Sequence, residues 1–128
     1  MEKVYPAIIH RDTDGLWIEF PDLSGCYTQG NSLEDLMLNA EEALGAFLAA
    51  KMDCDEEIPV ASDIESIHKE QNESLTYVSV DVSKYFRDTK AVKRMLSIPA
   101  WLAKESDKRK YSLSKILQEA LLEKINMA

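Results

Sequence analysis

The sequence predicts an α+β protein in two parts, and three observations support this. Within residues 1–82, several short runs alternate between apolar and polar side chains with a period of two, which is typical of half-buried strands. Among them lies one long stretch with helical periodicity. After a predicted hinge at residues 83–90, a further alternating run precedes two short helical patterns within residues 91–128.

The first 30 residues predict an antiparallel meander of three strands. Residues 4–9 are almost wholly apolar, although Pro6 favours an edge position or an irregularity because proline cannot donate a ladder hydrogen bond. Residues 12–15 supply a turn that ends in glycine. Residues 16–20 then alternate as a second strand, and residues 26–29 fit a third.

A helix and a fourth strand follow the meander. Ser32 is a predicted N-cap with Asp35 at the third helical position, a variant of the capping box. The residues after it form a wide apolar face that must pack on the sheet: Leu33, Leu36, Met37, Ala40, Ala43, Leu44, Phe47 and Leu48. Residues 53–73 are polar and predict a loop. Residues 75–82 alternate again as a strand.

Near the C-terminus, a short strand and two helices are predicted. Residues 91–98 alternate imperfectly, with Val92, Leu96 and Ile98 on one face and Lys93, Met95 and Ser97 on the other. Pro99 suits the first position of a helix, where its missing N–H costs nothing. Ser112 suits the N-cap of the next helix.

So small a unit cannot bury its apolar faces alone, and a second copy is the simplest partner. Two strands paired antiparallel would bury a dimer core made of Leu96, Ile98, Trp101, Leu102, Leu113, Ile116, Leu117 and Leu121. The arrangement resembles the ribbon-helix-helix family of dimeric DNA-binding domains, whose ribbon enters the major groove. The alternative is an ordinary piece of an α+β core.

The ribbon-helix-helix resemblance implies two sets of DNA-binding residues. The outward side chains of the strand, Lys93, Met95 and Ser97, would read base edges. The start of the last helix, at Ser112, Leu113 and Ser114, would hold a phosphate with its backbone N–H groups.

Charge divides the chain in the same way. Residues 1–88 hold 6 Lys and Arg against 19 Asp and Glu, a net charge of −13, whereas residues 89–128 hold 9 against 4, a net charge of +5. A basic module suits phosphate neutralisation, and a basic protein is a natural partner for the acidic part. A solvated acidic surface is the alternative for the latter.

Two motif blocks resemble the HicB antitoxin family. The first block consists of Tyr5-Pro6-Ala7, Asp14-Gly15, Trp17, Phe20-Pro21-Asp22-Leu23, Gly25-Cys26, Thr28, Gly30, Ala40 and Ala43-Leu44. The second block, which fits the ribbon-helix-helix subgroup, consists of Ile98-Pro99, Trp101-Leu102, Ser112, Ser114 and Leu117 to Leu121. The resemblance spans nearly the whole chain except the loop at residues 53–73.

The family resemblance implies a non-enzymatic antitoxin. Its N-terminal domain would have a partial ribonuclease-H-like fold and cover HicA, a small basic toxin that cleaves messenger RNA. Its C-terminal domain would bind operator DNA and repress its own operon, as a homodimer or a tetramer of two such dimers. Toxin-binding candidates are the outward residues Trp17, Glu19 and Tyr27 together with Asp22, although Trp17 and Tyr27 could equally be ordinary packing on the open face of the sheet.

Two alternatives belong to other functional classes. Asp12, Asp14, Glu19 and Asp22 could hold Mg²⁺ in a weak nuclease if they converged on one point, although turn and surface roles explain them better. A stand-alone regulator without a toxin is the other alternative. His10 is expected to be structural, because no nucleophilic motif accompanies it.

No cofactor, metal or membrane association is expected. Cys26 and Cys54 lack metal-ligand spacing and predict idle thiols in a reducing cytoplasm. The N-terminus lacks the apolar stretch of a secretory signal, and no run is long enough to cross a bilayer. A cytoplasmic location is therefore expected.

Overall fold

A computed structural model describes residues 1–87 and 90–127, without the side chain of the last of these. The described chain divides into two compact units, one within residues 2–87 and the other mainly within residues 90–127. The predicted hinge, residues 83–90, includes residues 88 and 89, which lie outside the described residues.

The N-terminal unit is built on a four-stranded antiparallel sheet. Its strands are β1 (Glu2–Asp12), β2 (Gly15–Glu19), β3 (Tyr27–Gly30) and β4 (Ser74–Asp81), in the order β3-β2-β1-β4. The predicted meander is confirmed. The fourth strand returns to pair with β1, which is longer at both ends than the apolar run alone indicates.

Pro6 lies where β1 has one neighbour among the described strands. Pairing with β4 runs from Glu2 to Ile9, but pairing with β2 begins only at Ile8. Pro6 is opposite Tyr77 on β4 and is fully buried. The expected edge position therefore holds locally, although β1 is central in the sheet.

One helix, α1 (Leu33–Asp53), covers one face of the sheet. Ser32 caps it as predicted, since its Oγ accepts from the Asp35 N–H at 3.1 Å. The Asp35 carboxylate accepts from the Asn31 N–H at 3.0 Å, which completes a capping-box variant. Gly30 allows the close approach of this helix, because a Cβ there would lie 2.5 Å from the backbone nitrogen of Leu36.

The core lies between α1 and the sheet. Its buried residues include Leu36, Leu44 and Leu48 of α1, alternating residues of the strands (Tyr5, Ala7, Ile9, Ile18, Val78 and Val80), and Phe20 directly after β2. Val82 and Tyr85 extend this packing, because the 3₁₀ turn Val82–Tyr85 lies against α1 and the Tyr85 ring occupies the space beside Gly45. The first residues of the predicted hinge thus belong to the packed unit.

The predicted loop at residues 53–73 begins only after the last turn of α1 and is fastened to the sheet. A 3₁₀ turn at Ile64–Ser66 interrupts it. The Tyr5 hydroxyl donates to the Pro59 carbonyl, and both the N–H and the hydroxyl of Ser62 donate to the Asp22 carboxylate. These contacts give the loop a defined path.

The C-terminal unit contains α2 (Ala100–Lys108) and α3 (Leu113–Met127). Pro99 occupies the N-cap of α2 and not the first helical position that the sequence predicted. Residues 91–99 are exposed and are not assigned as a strand in this single chain. A strand requires a ladder partner, which the second copy would supply in the predicted ribbon.

Both α1 and α2 end in the same way, although neither has a glycine at its end. Asp55 and Lys110 adopt the left-handed conformation with φ of 57° and 55°. The N–H groups of Glu56 and Tyr111 then reach back to the carbonyls of Lys51 and Ser106. This is the Schellman pattern, in which glycine is the favoured residue.

Neither α1, α2 nor α3, as described, is both long and apolar enough to cross a membrane.

Candidate binding surfaces

An open cleft of about 1030 Å³ lies at the β2–β3 edge of the N-terminal unit. It is lined by Asp12, Asp14, Gly15, Leu16, Trp17, Glu19, Tyr27, Thr28, Gln29, Gly30, Asn31, Asp35 and Asn39. Four of these residues carry a carboxylate, and none of the described lining residues is lysine or arginine. The cleft is therefore suited to a cationic surface.

Trp17 forms an ordered wall of this cleft. It is opposite His10 in the β1–β2 ladder, and the two rings stack with centroids 3.8 Å apart and planes 11° from parallel. Its indole N–H donates to the Asp12 carboxylate at 3.1 Å. Stacking on one side and a hydrogen bond at the edge fix the plane of the indole.

His10 links the cleft to the loop before β4. Its Nε2 lies 3.0 Å from Glu19 Oε1, and its Nδ1 lies 2.5 Å from Glu73 Oε2. The other Glu73 oxygen accepts from the Glu70 N–H at 2.7 Å. Sequence reasoning predicted a structural role for His10 but did not find Glu73, which is 63 residues away and is brought near by the pairing of β4 with β1.

The predicted toxin-binding residues separate into two groups in the structure. Trp17, Glu19 and Tyr27 line the cleft together, and Tyr27 is 68% exposed opposite Glu19. Asp22 does not line it. Its carboxylate accepts two hydrogen bonds from Ser62 and fastens the loop, which is a structural role.

The cleft also contains polar residues that sequence reasoning missed. Gln29 is opposite Trp17, and its backbone carbonyl accepts from the Asn39 side chain of α1 at 2.9 Å. Asn31 and Asp35 belong to the cap of α1. The alternation of β3 could have placed Gln29 beside Tyr27 on the outward face, but only the packing of α1 brings Asn39 there.

The carboxylates of the nuclease alternative do not form a metal site. Asp12 accepts from Trp17, and Asp22 accepts from Ser62. Over residues 1–87 and 90–127, no group of three His, Cys, Asp or Glu side chains could hold a metal ion. The geometry thus gives the nuclease alternative no set of ligands in this part of the chain.

The two cysteines lie in different environments. Cys26 is buried under α1, with its Sγ 3.8 Å from the Ala43 carbonyl, and burial raises the pKa of its thiol to about 11. A protonated thiol is a poor nucleophile. Cys54 caps α1 at its C-terminal end and is exposed.

In the C-terminal unit, the predicted dimer core is exposed in the single chain. Between 39% and 67% of the surface of each residue is accessible, and this holds for Leu96, Ile98, Trp101, Leu102, Leu113, Ile116, Leu117 and Leu121. Val92, Leu122 and Ile125 add to this apolar surface. A contiguous exposed apolar surface of this kind is typical of an interaction site.

The predicted DNA-binding residues are also exposed. Met95 is fully accessible, and Lys93 and Ser97 are exposed on the same segment. At the second helix, α3 begins at Leu113, and the Ser112 hydroxyl accepts from the Lys115 N–H at 3.4 Å, as expected of an N-cap. Ser112, Leu113 and Ser114 are all accessible to a ligand.

Comparison with known proteins gives a consistent family. The family model described as HicB-like antitoxin of bacterial toxin–antitoxin system matches residues 5–124. An uncharacterised 14.9 kDa protein of Haemophilus phage HP1 is 32% identical over 105 residues, which cover 81% of this chain and 79% of that protein.

Solved structures agree with the family match over the full length. A chain of a toxin–antitoxin complex from Streptococcus pneumoniae is 29% identical with a TM-score of 0.64, covering 97% of this chain and 99% of that one. The crystal structure of antitoxin HicB3 is 32% identical with a TM-score of 0.55, covering 96% and 98%. The similarity therefore includes both units of the chain.

Proposed function

The chain belongs to the HicB-like antitoxin family of bacterial toxin–antitoxin systems, and from this premise we propose that it neutralises a HicA-type toxin and represses its own operon. The N-terminal unit, with its partial ribonuclease-H-like fold, binds the basic, mRNA-cleaving toxin. The C-terminal unit dimerises and binds operator DNA. No catalytic step is assigned to the antitoxin.

The acidic cleft supports the toxin-binding half of this proposal. Asp12, Asp14 and Glu19 stand around two accessible aromatic side chains, Trp17 and Tyr27. Aromatic anchors surrounded by charge are typical of the residues that contribute most to protein interfaces. A solved complex of HicA3 with HicB3 contains a chain 28% identical to this one, with a TM-score of 0.53, aligned over 62% of this chain.

Charge reversal at the cleft tests toxin binding. Asp14→Lys should weaken binding of the toxin encoded beside this gene at least about tenfold, because it places a cation in a cleft suited to a basic surface. Titration calorimetry at fixed salt measures the dissociation constant. Glu65→Lys makes the same charge change at an exposed site away from the cleft and should have little effect.

The outcome also decides between an antitoxin and a stand-alone regulator. If no neighbouring basic protein binds the unmodified chain, toxin neutralisation is wrong and the chain acts as a stand-alone regulator. If the toxin binds but both charge reversals weaken it equally, the partner lies on another surface.

The exposed apolar face is the single observation that supports the DNA-binding half most strongly. Eight large side chains that one chain leaves accessible would form a shared core if residues 91–98 of two copies paired antiparallel. Lys93, Met95 and Ser97 would then stand together on the outside of the ribbon. Ser112, Leu113 and Ser114 would hold the DNA backbone on either side.

Replacing two ribbon residues tests this assignment. Lys93→Ala with Ser97→Ala should abolish binding to the promoter DNA of its own operon, because both side chains would face the bases, and should leave toxin binding intact. Fluorescence anisotropy at fixed salt provides the measurement. Lys124→Ala, in the last turn of α3, removes one positive charge far from the ribbon in sequence and serves as the control. Unchanged DNA affinity in the double variant would contradict the ribbon.

A further inference from the structure

His10 is held by two carboxylates at once, which is more than a neutral imidazole can satisfy. Its two ring nitrogens lie 3.0 Å and 2.5 Å from oxygens of Glu19 and Glu73. An ionised carboxylate can only accept a hydrogen bond, and a neutral imidazole carries one N–H and one lone pair. The Glu19 contact is a hydrogen bond and the Glu73 contact has the distance of an ion pair, and both are attractive only when each ring nitrogen carries a proton.

One of the two carboxylates is anchored by the backbone, and the other lies at a wall of the cleft. Glu73 is 14% exposed, and its second oxygen accepts from the Glu70 N–H, which closes the turn before β4. Glu19 is 41% exposed and lines the cleft. The ring therefore connects a half-buried carboxylate, held by the turn before β4, to a carboxylate that faces the solvent.

The face of the same ring supports Trp17. A cationic imidazole stacked on an indole gains a cation–π attraction in addition to contact area. Trp17 is fixed from the other direction by Asp12, which accepts its N–H. Two of the three predicted toxin-binding residues that line the cleft, Trp17 and Glu19, are thus placed by one residue that does not itself line it.

We propose that His10 is the positioning residue of this cleft, holding Glu19 and Trp17 in place for a basic partner through a ring that is protonated on both nitrogens. The inference rests on the proposed toxin binding. It makes the order of the cleft depend on pH, since loss of one ring proton leaves a ring nitrogen whose lone pair faces a carboxylate. The charged groups around the ring are Glu19 on β2, Glu73 before β4 and, beyond the indole, Asp12 on β1. Lys69 lies near Glu73, to whose backbone carbonyl its ammonium donates.

The first experiment follows the ring and the indole directly. In a Trp101→Phe background, Trp17 is the remaining tryptophan, and a stacked imidazolium quenches indole emission. Emission should rise with pH and share its midpoint with the His10 ring resonances in an NMR titration. His10→Gln should abolish the change, whereas His68→Gln, at the exposed second histidine, should preserve it.

The second experiment is a double-mutant cycle for toxin affinity at a pH below that midpoint. His10→Ala should weaken binding about five- to tenfold in the unmodified protein but less than twofold in a Trp17→Ala, Glu19→Ala background, because it acts through those two side chains. His10→Gln should recover part of the affinity, since its amide can still donate to one carboxylate.

The outcomes separate the inference from the function on which it rests. A flat emission profile, midpoints that differ, or fully additive effects in the cycle would each overturn the positioning role. Absence of toxin binding by the unmodified protein would overturn the proposed function, and the emission profile would still decide whether His10 holds Trp17.

Discussion

The two units of this chain differ in how far they bury their large apolar side chains. In the N-terminal unit, Leu36, Leu44 and Leu48 of α1 are completely buried against the sheet of the same chain. In the C-terminal unit, Trp101 and Leu117 remain 67% and 39% exposed. A unit of about 40 residues is at the lower limit for an independent core. The first unit thus closes its core within one chain, whereas the second leaves the apolar face that we propose to be half of a shared core.

Charge sharpens this contrast. The part that closes its own core carries −13 and presents an acidic cleft, whereas the part that exposes its apolar face carries +5. Pairing two basic units would double the positive charge along one ribbon, which favours a polyanion. This division of charge agrees with the proposed binding of a basic protein by one unit and of DNA by the other.

The largest effect is expected from a charge in the predicted dimer core. Leu117→Glu should raise the dimer dissociation constant by about 1000-fold or more, since burying an unpaired carboxylate costs several kcal/mol. Analytical ultracentrifugation measures the change. Gln118→Glu introduces the same residue next to the predicted core and should leave the mass unchanged. A monomeric unmodified protein at high concentration would contradict the shared core.

A smaller effect, of about 3 kcal/mol, is expected from a cavity in the N-terminal core. Leu44→Ala removes a fully buried side chain and should lower the free energy of unfolding of this unit by that amount. Leu38→Ala, on the same helix but 68% exposed, is the matched control and should have little effect. Urea unfolding followed by circular dichroism gives both values, and dimer affinity should stay constant.

Glycine at the two left-handed helix ends should stabilise each unit by about 1 kcal/mol, because it removes the Cβ strain of a positive φ. The gain from Asp55→Gly should not depend on protein concentration. The gain from Lys110→Gly should appear in a thermal transition whose midpoint depends on protein concentration. Thermal scans at two concentrations distinguish these cases, and equal concentration dependence for both variants would show that the units are not independent in the proposed sense.

The smallest effect at neutral pH concerns Cys26. Burial raises the pKa of the Cys26 thiol to about 11. The thiol therefore ionises at a lower pH in the unfolded chain than in the folded protein, and stability is lost as pH rises from the usual thiol range towards 11. The loss should be negligible at pH 7 and about 1 kcal/mol at pH 10. Cys26→Ala should flatten this part of the alkaline profile measured by urea unfolding. Cys54→Ser, at the exposed cysteine, should not.

Much of the fold could be predicted because it depends on local patterns. The meander, the Ser32 cap of α1, the return strand and the two C-terminal helices all follow from periodicity and capping. Errors occurred where packing decides. Residues 82–85, which the sequence divided between the fourth strand and the hinge, form a 3₁₀ turn packed against α1.

The candidate sites were predictable only in part. Trp17, Glu19 and Tyr27 line one cleft in the structure, and strand alternation already predicts that they share a face, since neighbours on one face follow from the period of two. Asp22 resembled a surface carboxylate until the loop brought Ser62 to it, a contact across 40 residues that no local pattern encodes.

The sequence by itself determined most of the secondary structure, the family and the separation of an acidic part from a basic one, because capping, periodicity and charge depend on residues near one another in the chain. Only the tertiary structure decided that Glu73, His10 and Glu19 meet, since pairing of β1 with both β2 and β4 is needed to bring them together. It also decided which apolar residues stay exposed, because burial depends on what the rest of the chain can cover.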